Sequence, residues 1–160
     1  MGENEGAAMD HADVVALPPV IYGVALVAGV VVKLALGGSI GVDSWLRLGV
    51  GIVALVLGAI GSLRFARIFQ AAGQDKDPRT PTPALVTDGI YARSRNPAYV
   101  SLTLLQVGLA CVLDNVWILV FLFPVLALIH FGVILREEAY LERKFGDEYR
   151  SYKARVRRWI

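Results

Sequence analysis

The sequence has very little of the chemistry that builds metal sites or disulfides. Its one cysteine, Cys111, lies in an apolar segment and cannot form an intramolecular disulfide. Its two histidines, His11 and His130, are far apart and belong to no Cys/His spacing typical of a metal site. No Gly-x-Gly-x-x-Gly follows a strand pattern, which argues against a Rossmann nucleotide fold. We therefore predict no metal site.

Basic residues are almost absent from the first 63 positions, where Lys33 and Arg47 are the only ones among the sixteen Lys and Arg residues of the chain. Residues 1–16 carry acidic side chains and no basic one, so they lack the basic start of a secretory signal. We predict that they form a mobile tail. No basic run with interleaved aromatic residues occurs, which argues against nucleic acid as a partner.

Apolar residues, in contrast, are abundant: they make up 56% of the 160 residues, and the mean hydropathy is +0.55. They occur in long blocks, as transmembrane helices require. Four such blocks cover approximately residues 18–36, 44–63, 98–113 and 116–135. We predict an all-α polytopic membrane protein with four transmembrane helices and a C-terminal interfacial helix.

These blocks divide the chain into five parts. They are a tail (1–16), a first transmembrane hairpin (17–63), a connector (64–97), a second transmembrane hairpin (98–135) and a C-terminal tail (136–160). Small residues at Ala54, Gly58 and Ser62 recur four apart, and we interpret them as a helix-packing ridge. Three prolines within residues 77–83 predict an extended surface connector.

The basic residues also predict the orientation. All except Lys33 and Arg47 lie in the connector and the C-terminal tail. Four crossings place these two segments on one side of the membrane, and the positive-inside tendency makes that side cytoplasmic. We predict an integral protein of the cell inner membrane, or its equivalent, with the active site facing the cytoplasm. The sequence predicts no particular oligomeric state.

The C-terminal tail carries an apolar and aromatic stripe at helical spacing. Its members are Leu141, Phe145, Tyr149, Tyr152 and Val156. Gly146 is predicted to end one helix and Asp147 to cap the next. The stripe fits either a helix that lies on an anionic membrane surface or one that folds back over the bundle.

Two polar clusters flank the second hairpin. The first comprises residues 88–99 and the second residues 136–138, and a hairpin should return them to the same membrane face. Side chains that could meet there are Tyr91, Arg93, Arg95, Asn96, Tyr99, Arg136, Glu137 and Glu138, with His130 deeper in the fourth helix. Glu137 and Glu138 project about 100° apart on a helix, which predicts that one of them faces the pocket.

Arginines, carboxylates and tyrosines together suit a zwitterionic ligand. Arginine binds a carboxylate through two parallel hydrogen bonds, and a tyrosine ring can face a cation. The alternative is that these are ordinary interfacial charges beside anionic lipid. His130 is interpreted as a packed or hydrogen-bonded helix residue.

The two clusters carry recognisable motifs. The first contains Gly-x-Tyr, then Arg-Asn-Pro and x-Tyr, within residues 85–99. The second begins Glu-Glu-x-x-Leu at Glu137 and continues as Phe-Gly-x-x-Tyr and Tyr-x-x-x-Val. Together they resemble the signature of the isoprenylcysteine carboxyl methyltransferase family and its phospholipid methyltransferase relatives, over roughly residues 84–159. Asn96 departs from the His of many members, Ser101 from a usual Gly, and Arg157 from a Pro that often follows the closing Val.

The resemblance implies a membrane methyltransferase that uses S-adenosylmethionine. Carried over by position, the cofactor-binding residues would be Gly89, Tyr91, Asn96, Pro97, Tyr99, Glu137, Glu138 and Tyr149, with Tyr149 helping to close the site. Arg95 and Arg136 would be the catalytic residues that orient a carboxylate or phosphate of the acceptor. Methyl transfer from a sulfonium needs positioning and desolvation more than a covalent nucleophile.

The acceptor is expected to be a lipophilic small molecule or a lipidated substrate that reaches the site from the surrounding membrane lipids. The favoured hypothesis is a carboxylate of isoprenylcysteine type, which needs no general base. The first alternative is N-methylation of an aminophospholipid, whose amine must be neutral to react, with the glutamates or His130 able to help. The others are a non-catalytic bundle that binds anionic lipid and, more remotely, a membrane reductase that uses a nicotinamide cofactor.

Overall fold

The protein is an all-α bundle. The computed structural model describes residues 12–71, 73 and 80–160. Within them lie six α-helices: α1 (Pro18–Leu36), α2 (Ser44–Ala71), α3 (Pro97–Val112), α4 (Val116–Ile129), α5 (Leu135–Phe145) and α6 (Asp147–Arg155). A 3-10 turn, Gly89–Ala92, precedes α3, and a π-helical segment, His130–Ile134, joins α4 and α5 into one rod. No strand occurs in the described residues, so the predicted fold class is confirmed.

Three helical segments are long and apolar enough to cross a membrane. They are Pro18–Leu36, Ser44–Ala71 and Val116–Phe145. The remaining apolar helix, α3, has 16 residues. It is therefore about 24 Å long at 1.5 Å per residue, somewhat less than the roughly 30 Å of bilayer hydrocarbon. The membrane class is confirmed, and a fourth crossing by α3 stays a prediction.

The helices do not pair in chain order. α1 packs against α4, and α2 packs against α3, which in turn contacts α4. Among the described helices, α1 and α2 pack against other helices more than against each other. The division of residues 17–63 as a first hairpin stays a prediction. The second predicted hairpin, α3 with α4, is a contacting pair.

The α2–α3 contact depends on small residues. A Cβ atom on Gly58 would lie 2.8 Å from Leu105 Cγ and 2.9 Å from the Ser101 carbonyl oxygen. One on Gly108 would lie 2.9 Å from the Gly51 carbonyl oxygen. All three distances are shorter than van der Waals contact, so the two backbones approach as closely as they do because side chains are missing there. The predicted helix-packing ridge on α2 is confirmed.

Replacing Gly58 with Leu should therefore destabilise the bundle by about 1–3 kcal/mol, since the larger side chain forces the two helices apart. Urea unfolding of the protein in detergent micelles measures this. Gly49→Leu is the matched control, because a Cβ on Gly49 meets nothing within 4 Å. Equal destabilisation by both variants would show that the close contact at Gly58 is not responsible.

The two early basic residues lie at the end of the bundle where α3 stops. Lys33 Nζ donates to the carbonyl oxygens of Leu113 and Asp114 at 2.6 and 2.7 Å. Arg47 Nε lies 3.4 Å from an Asp114 carboxylate oxygen. Asn115 caps α4, and its side-chain oxygen accepts from the backbone amides of two α4 residues. Leu113 and Asp114 form the turn between α3 and α4, and these two cations complete the C-terminal end of α3.

One predicted boundary is wrong. α2 continues to Ala71, well beyond its predicted end at residue 63, so Arg64 and Arg67 are helical. The helix continues because Phe65 and Phe69 carry its apolar face past the point where charged residues begin. The predicted extended segment at 77–83 falls partly on residues 74–79, which lie outside the described residues.

The predicted mobile tail is also corrected where the structure describes it. Residues 1–11 lie outside the described residues. Ala12 and Val14, however, are buried members of the hydrophobic core. Val15 N donates to the Gly132 carbonyl oxygen at 3.2 Å. Apolar burial and this backbone hydrogen bond hold residues 12–16 against the π-helical segment.

At the other terminus, the C-terminal helix folds back over the bundle, which decides between the two predicted arrangements. Tyr149 and Tyr152 of α6 are buried. Gly146 ends α5 with a φ of 53°, in the left-handed region that favours glycine. Asp147 was predicted to cap α6, but Gly146 occupies the cap position and Asp147 instead pairs with Arg150 at 2.6 Å.

Candidate active site

The two polar clusters meet at one end of the bundle. Arg95, just before α3, places its Nη1 3.2 Å from Glu138 Oε1 on α5. α3 and the α4–α5 rod run in opposite directions, so residues 43 positions apart become neighbours. The predicted return of the chain to its starting face is what the structure shows. A cavity of about 310 Å³ lies at this junction.

The cavity has apolar and aromatic walls with a few polar groups. Its aromatic lining comprises Phe65, Phe69, Tyr91, Tyr99, Tyr140, Tyr149 and Tyr152, and its polar lining includes Arg95, Asn96, Glu137 and Glu138. Small-molecule sites are typically cavities of about 300–1,000 Å³ with this kind of lining. The arrangement suits a small ligand that has both an apolar part and charged groups.

Glu138 is the centre of a buried charge cluster. Both its oxygens accept from Arg158, through Nε and Nη2, at 2.9 Å each. Arg95 approaches the same carboxylate from the α3 side. One carboxylate therefore faces two guanidinium groups, and the cluster keeps an excess positive charge beside the cavity. A bidentate, largely buried arginine–carboxylate pair is among the stronger polar contacts in proteins.

Glu137 has a different environment. Its two oxygens accept from the Tyr99 hydroxyl at 2.8 and 2.9 Å. Among the described residues, no Lys or Arg forms an ion pair with it. Both glutamates line the cavity, so the prediction that one of them faces it is wrong. The cavity extends around α5 from the side of α3 to the side of α6, and two positions about 100° apart both reach it.

Arg158 is the residue that sequence reasoning missed. Besides its bond to Glu138, its carbonyl oxygen accepts from Asn96 Nδ2 at 2.9 Å. The neighbouring carbonyl of Arg157 accepts from the Arg95 backbone N at 3.0 Å. Residues 156–160, here called the C-terminal strap, are thus tied to the start of α3. The signal that could have found Arg158 was a basic residue just after the closing Tyr-x-x-x-Val pattern.

The strap gives a direct prediction. Arg158→Met keeps an unbranched apolar stem and removes the bond to Glu138, and should lower the free energy of unfolding by about 1–3 kcal/mol. Arg155→Met is the control, because Arg155 is exposed and its Nε donates to the Ser151 carbonyl oxygen four residues earlier. Urea unfolding in micelles compares them. A strap that contributes nothing would leave both variants equal to the wild type.

The tyrosines of α6 complete the wall. The Tyr152 hydroxyl donates to the Tyr91 carbonyl oxygen at 2.8 Å, which ties α6 to the 3-10 turn. Burial and the Glu138 carboxylate raise the pKa of Tyr149 to about 12, and Arg95 opposes that rise. Tyr149 is therefore protonated at neutral pH, so it serves this site as a neutral hydroxyl.

Three residues do not line the cavity: Arg136 and Gly89, which were predicted to be site residues, and His130, which was considered as one. Arg136 Nη1 donates to the Asp13 carbonyl oxygen at 2.7 Å, and its side chain is 46% exposed. Gly89 begins the 3-10 turn with a φ of 62°. His130 belongs to the π-helical segment, where its ring packs edge-on against Phe131. One step along the helix turns Arg136 away from the face that carries Glu137.

The other predicted site residues do come together. Arg95, Asn96, Pro97, Tyr91, Tyr99, Glu137, Glu138 and Tyr149 all line the cavity. No group of three or more potential metal ligands occurs in the part of the chain that the structure describes.

Apolar helices long enough to cross a membrane, with a cavity at one end, define an integral membrane protein with a candidate small-molecule site. A family model described as phospholipid methyltransferase matches residues 46–148, which is more than half of the chain. The chain belongs to this family. The resemblance in the two motifs, predicted from the sequence, is confirmed.

Two relatives are informative. An uncharacterized protein of Haemophilus influenzae is 48% identical over 64 residues, which cover 39% of this chain and 98% of that protein. The protein-S-isoprenylcysteine O-methyltransferase of Schizosaccharomyces pombe is 41% identical over 73 residues, or 45% of this chain and 30% of that enzyme. The alignment thus spans under a third of the second relative. Together with the family, it supports methyltransferase activity in a membrane.

Proposed function

We propose that this protein transfers a methyl group from S-adenosylmethionine to a lipophilic acceptor at the membrane interface. The acceptor group is a carboxylate of isoprenylcysteine type. Family membership and the Schizosaccharomyces pombe relative support the reaction class. The observation that supports a carboxylate acceptor is the hydrogen bonding of the Arg95 side chain.

Arg95 is a cation with spare hydrogen-bonding capacity beside the cavity. Its Nε and Nη1 are buried, and neither meets hydrogen-bond geometry with a described residue, although Nη1 lies 3.2 Å from Glu138 Oε1. Its ion-pair partner Glu138 already accepts two hydrogen bonds from Arg158. Buried donors without acceptors are costly, so an anionic group in the cavity that accepts from Arg95 would be favoured. A carboxylate has the charge and the oxygen geometry for this contact.

The cavity also fits the proposed methyl donor. When bound, S-adenosylmethionine supplies an electrophilic methyl on a sulfonium. Glu137 is a carboxylate without a described cationic partner, so we assign to it the ammonium group of the donor. The tyrosine rings can face the sulfonium or the adenine. Asn96 and Glu138, by contrast, are engaged by Arg158 and hold the strap, so we assign them a positioning role.

Such a site needs few reactive groups. A carboxylate is already a nucleophile, so no residue has to remove a proton from it. The protein's part is to hold the acceptor oxygen in line with the methyl and to exclude water, which the apolar walls favour. We place the site on the cytoplasmic side, because exposed arginines surround this end of the bundle and the positive-inside tendency then applies.

Binding and transfer assays test the proposal on purified protein in micelles. Calorimetry should detect S-adenosylmethionine binding, and Glu137→Gln should weaken it. Isotopically labelled methyl should then appear on N-acetyl-S-farnesylcysteine. Absence of cofactor binding by the wild type would overturn the whole proposal. Binding with transfer to phosphatidylethanolamine instead would overturn the acceptor assignment alone.

That second outcome has its own structural support. Glu137 and Tyr99 form a carboxylate–hydroxyl pair in an aromatic-walled cavity, which also suits an ammonium headgroup. An amine acceptor must lose a proton before it reacts, and Glu137 is the carboxylate placed to take it. N-methylation of an aminophospholipid is therefore the second candidate function.

A further inference from the structure

A short N-terminal segment forms part of the cavity wall. Residues 12–16, here called the N-terminal clasp, lie against the bundle, and Ala12 is 1% exposed. Ala12 lines the cavity together with Pro18 and Pro19 at the start of α1. The clasp lies outside residues 46–148, which the family model matches. It is therefore an addition to the part of the chain that carries the family's common features.

Two contacts hold the clasp in place. Val15 N donates to the carbonyl oxygen of Gly132, and a Cβ on Gly132 would lie 3.1 Å from Val15 Cγ2. Glycine in the π-helical segment thus gives the clasp room to dock, and π-helical turns are frequent at functional positions. Arg136 donates to the Asp13 carbonyl oxygen, and its Nη1 lies 3.6 Å from the Asp13 carboxylate. Arg136 therefore holds the clasp.

The wall to which Ala12 belongs is apolar. Ala12 is part of one hydrophobic cluster with Tyr99 and Tyr140, and Leu102 and Leu141 pack against that cluster. All five of these residues also line the cavity. Because Ala12 is 1% exposed and lines the cavity, we infer that a longer side chain at this position would extend into the cavity.

We propose that the clasp determines acceptor specificity, with Ala12 limiting the length of the lipid chain that the cavity accepts. Arg136 is a positioning residue that acts through the clasp, and it does not touch the acceptor. This inference rests on the proposed function and adds to it the part of the site that reads the apolar end of the acceptor. A methyl-sized side chain at position 12 leaves room that a larger one would fill.

The first experiment changes the wall. Ala12→Phe is compared with Ala59→Phe, the same substitution at an exposed position of α2. Each full-length protein is assayed with N-acetylcysteines that carry geranyl, farnesyl or geranylgeranyl chains. Ala12→Phe should lower kcat/KM for the longest chain relative to the shortest by about tenfold or more, the effect of a methylene or two that no longer fits. Ala59→Phe should keep the wild-type profile.

The outcomes separate the two proposals. A wild type that methylates none of these acceptors removes the proposed carboxylate function, and the inference with it. If the wild type methylates these acceptors and both variants keep its chain-length preference, the inference is overturned and the proposed function remains intact. Ala12→Leu is a smaller change at the same position, and it provides the comparison if the phenylalanine variant does not fold.

The second experiment isolates the role of Arg136. Arg136→Met should raise KM for the farnesyl acceptor several-fold and leave S-adenosylmethionine affinity unchanged.

An ideal Cβ on Gly132 lies 3.5 Å from Val15 Cβ, at the short end of the disulfide range of about 3.5–4.5 Å. Val15→Cys with Gly132→Cys, in a Cys111→Ser background, can therefore lock the clasp. Val15→Cys also removes the Cγ2 methyl group that a side chain at position 132 would contact.

Oxidation of that double-cysteine protein should restore KM when Arg136→Met is added, and reduction should abolish the restoration. The disulfide replaces the contact that Arg136 makes with the clasp, but it does not replace the guanidinium group. Restored KM therefore indicates a positioning role, because loss of a guanidinium that contacted the acceptor would not be restored by the disulfide. A disulfide that forms without restoring KM would overturn the positioning role of Arg136. Failure of the disulfide to form would overturn the placement of the clasp itself.

Discussion

Arg95→Ala is expected to lower kcat/KM for N-acetyl-S-farnesylcysteine by about 10²–10³-fold, the loss typical when one preorganised donor is removed from a reacting oxygen. The affinity for S-adenosylmethionine should change little, because Glu137 and the tyrosines remain. Arg95→Lys should recover part of the activity, since it restores the charge without the fork of donors. Labelled-methyl transfer and calorimetry measure the two quantities separately.

Arg93→Ala is the matched control for this experiment. Arg93 is an exposed arginine two positions earlier, and it does not line the cavity. If both alanine variants lose activity equally, the loss reflects the general positive charge of this membrane face. If Arg95→Ala is as active as the wild type, Arg95 does not contact the acceptor, and the carboxylate assignment loses its main support.

Glu138→Gln is expected to have the largest effect on stability. It leaves two guanidinium groups facing a neutral amide, and breaking a buried ion pair by removing one partner costs about 3–5 kcal/mol. Because Arg158 is partly exposed, we expect the lower end of that range, near 3 kcal/mol. Urea unfolding in micelles, with methyl transfer assayed in parallel, follows both consequences.

Glu142→Gln provides the comparison. Glu142 pairs with Lys153 at 3.0 Å, in a position where both side chains are more than a third exposed. An exposed pair of this kind contributes about 0.2–1 kcal/mol. Similar losses from the two variants would mean that the cluster around Glu138 is no more than a surface network. In the double variant Glu138→Gln with Arg158→Met, the two losses of stability should be less than additive, since each substitution alone removes the same Glu138–Arg158 contact.

Much of the architecture could be predicted because apolar length alone identifies transmembrane helices. The same signal did not predict which helices pack together, since lipid-facing and helix-facing residues are both apolar. Contacts at Gly29 and Gly58 decide that pairing: a Cβ on Gly29 would lie 2.9 Å from the Ile118 backbone N of α4. The end of α2 was misplaced because charge marks the edge of the hydrocarbon and not the end of the helix.

The candidate site was predictable where local motifs carry it and less so elsewhere. Arg95 and Glu138 stand in two motifs that a hairpin brings together. Arg158 lies beyond them, and its contact forms only after α6 folds back. Arg136 was predicted as a site residue because it adjoins Glu137 in the sequence. One step along the α5 helix turns its side chain by about 100°, away from the cavity and towards Asp13.

The strap has a practical consequence for anyone who handles this protein. It is tied to residues 94–96 through main-chain carbonyls of Arg157 and Arg158 as well as through the Arg158 side chain. Ile160 is 81% exposed. Residues that follow Ile160, such as an affinity tag, can therefore extend away from the site and leave it intact. Truncation before Arg158 would remove its anchor and yield an inactive preparation.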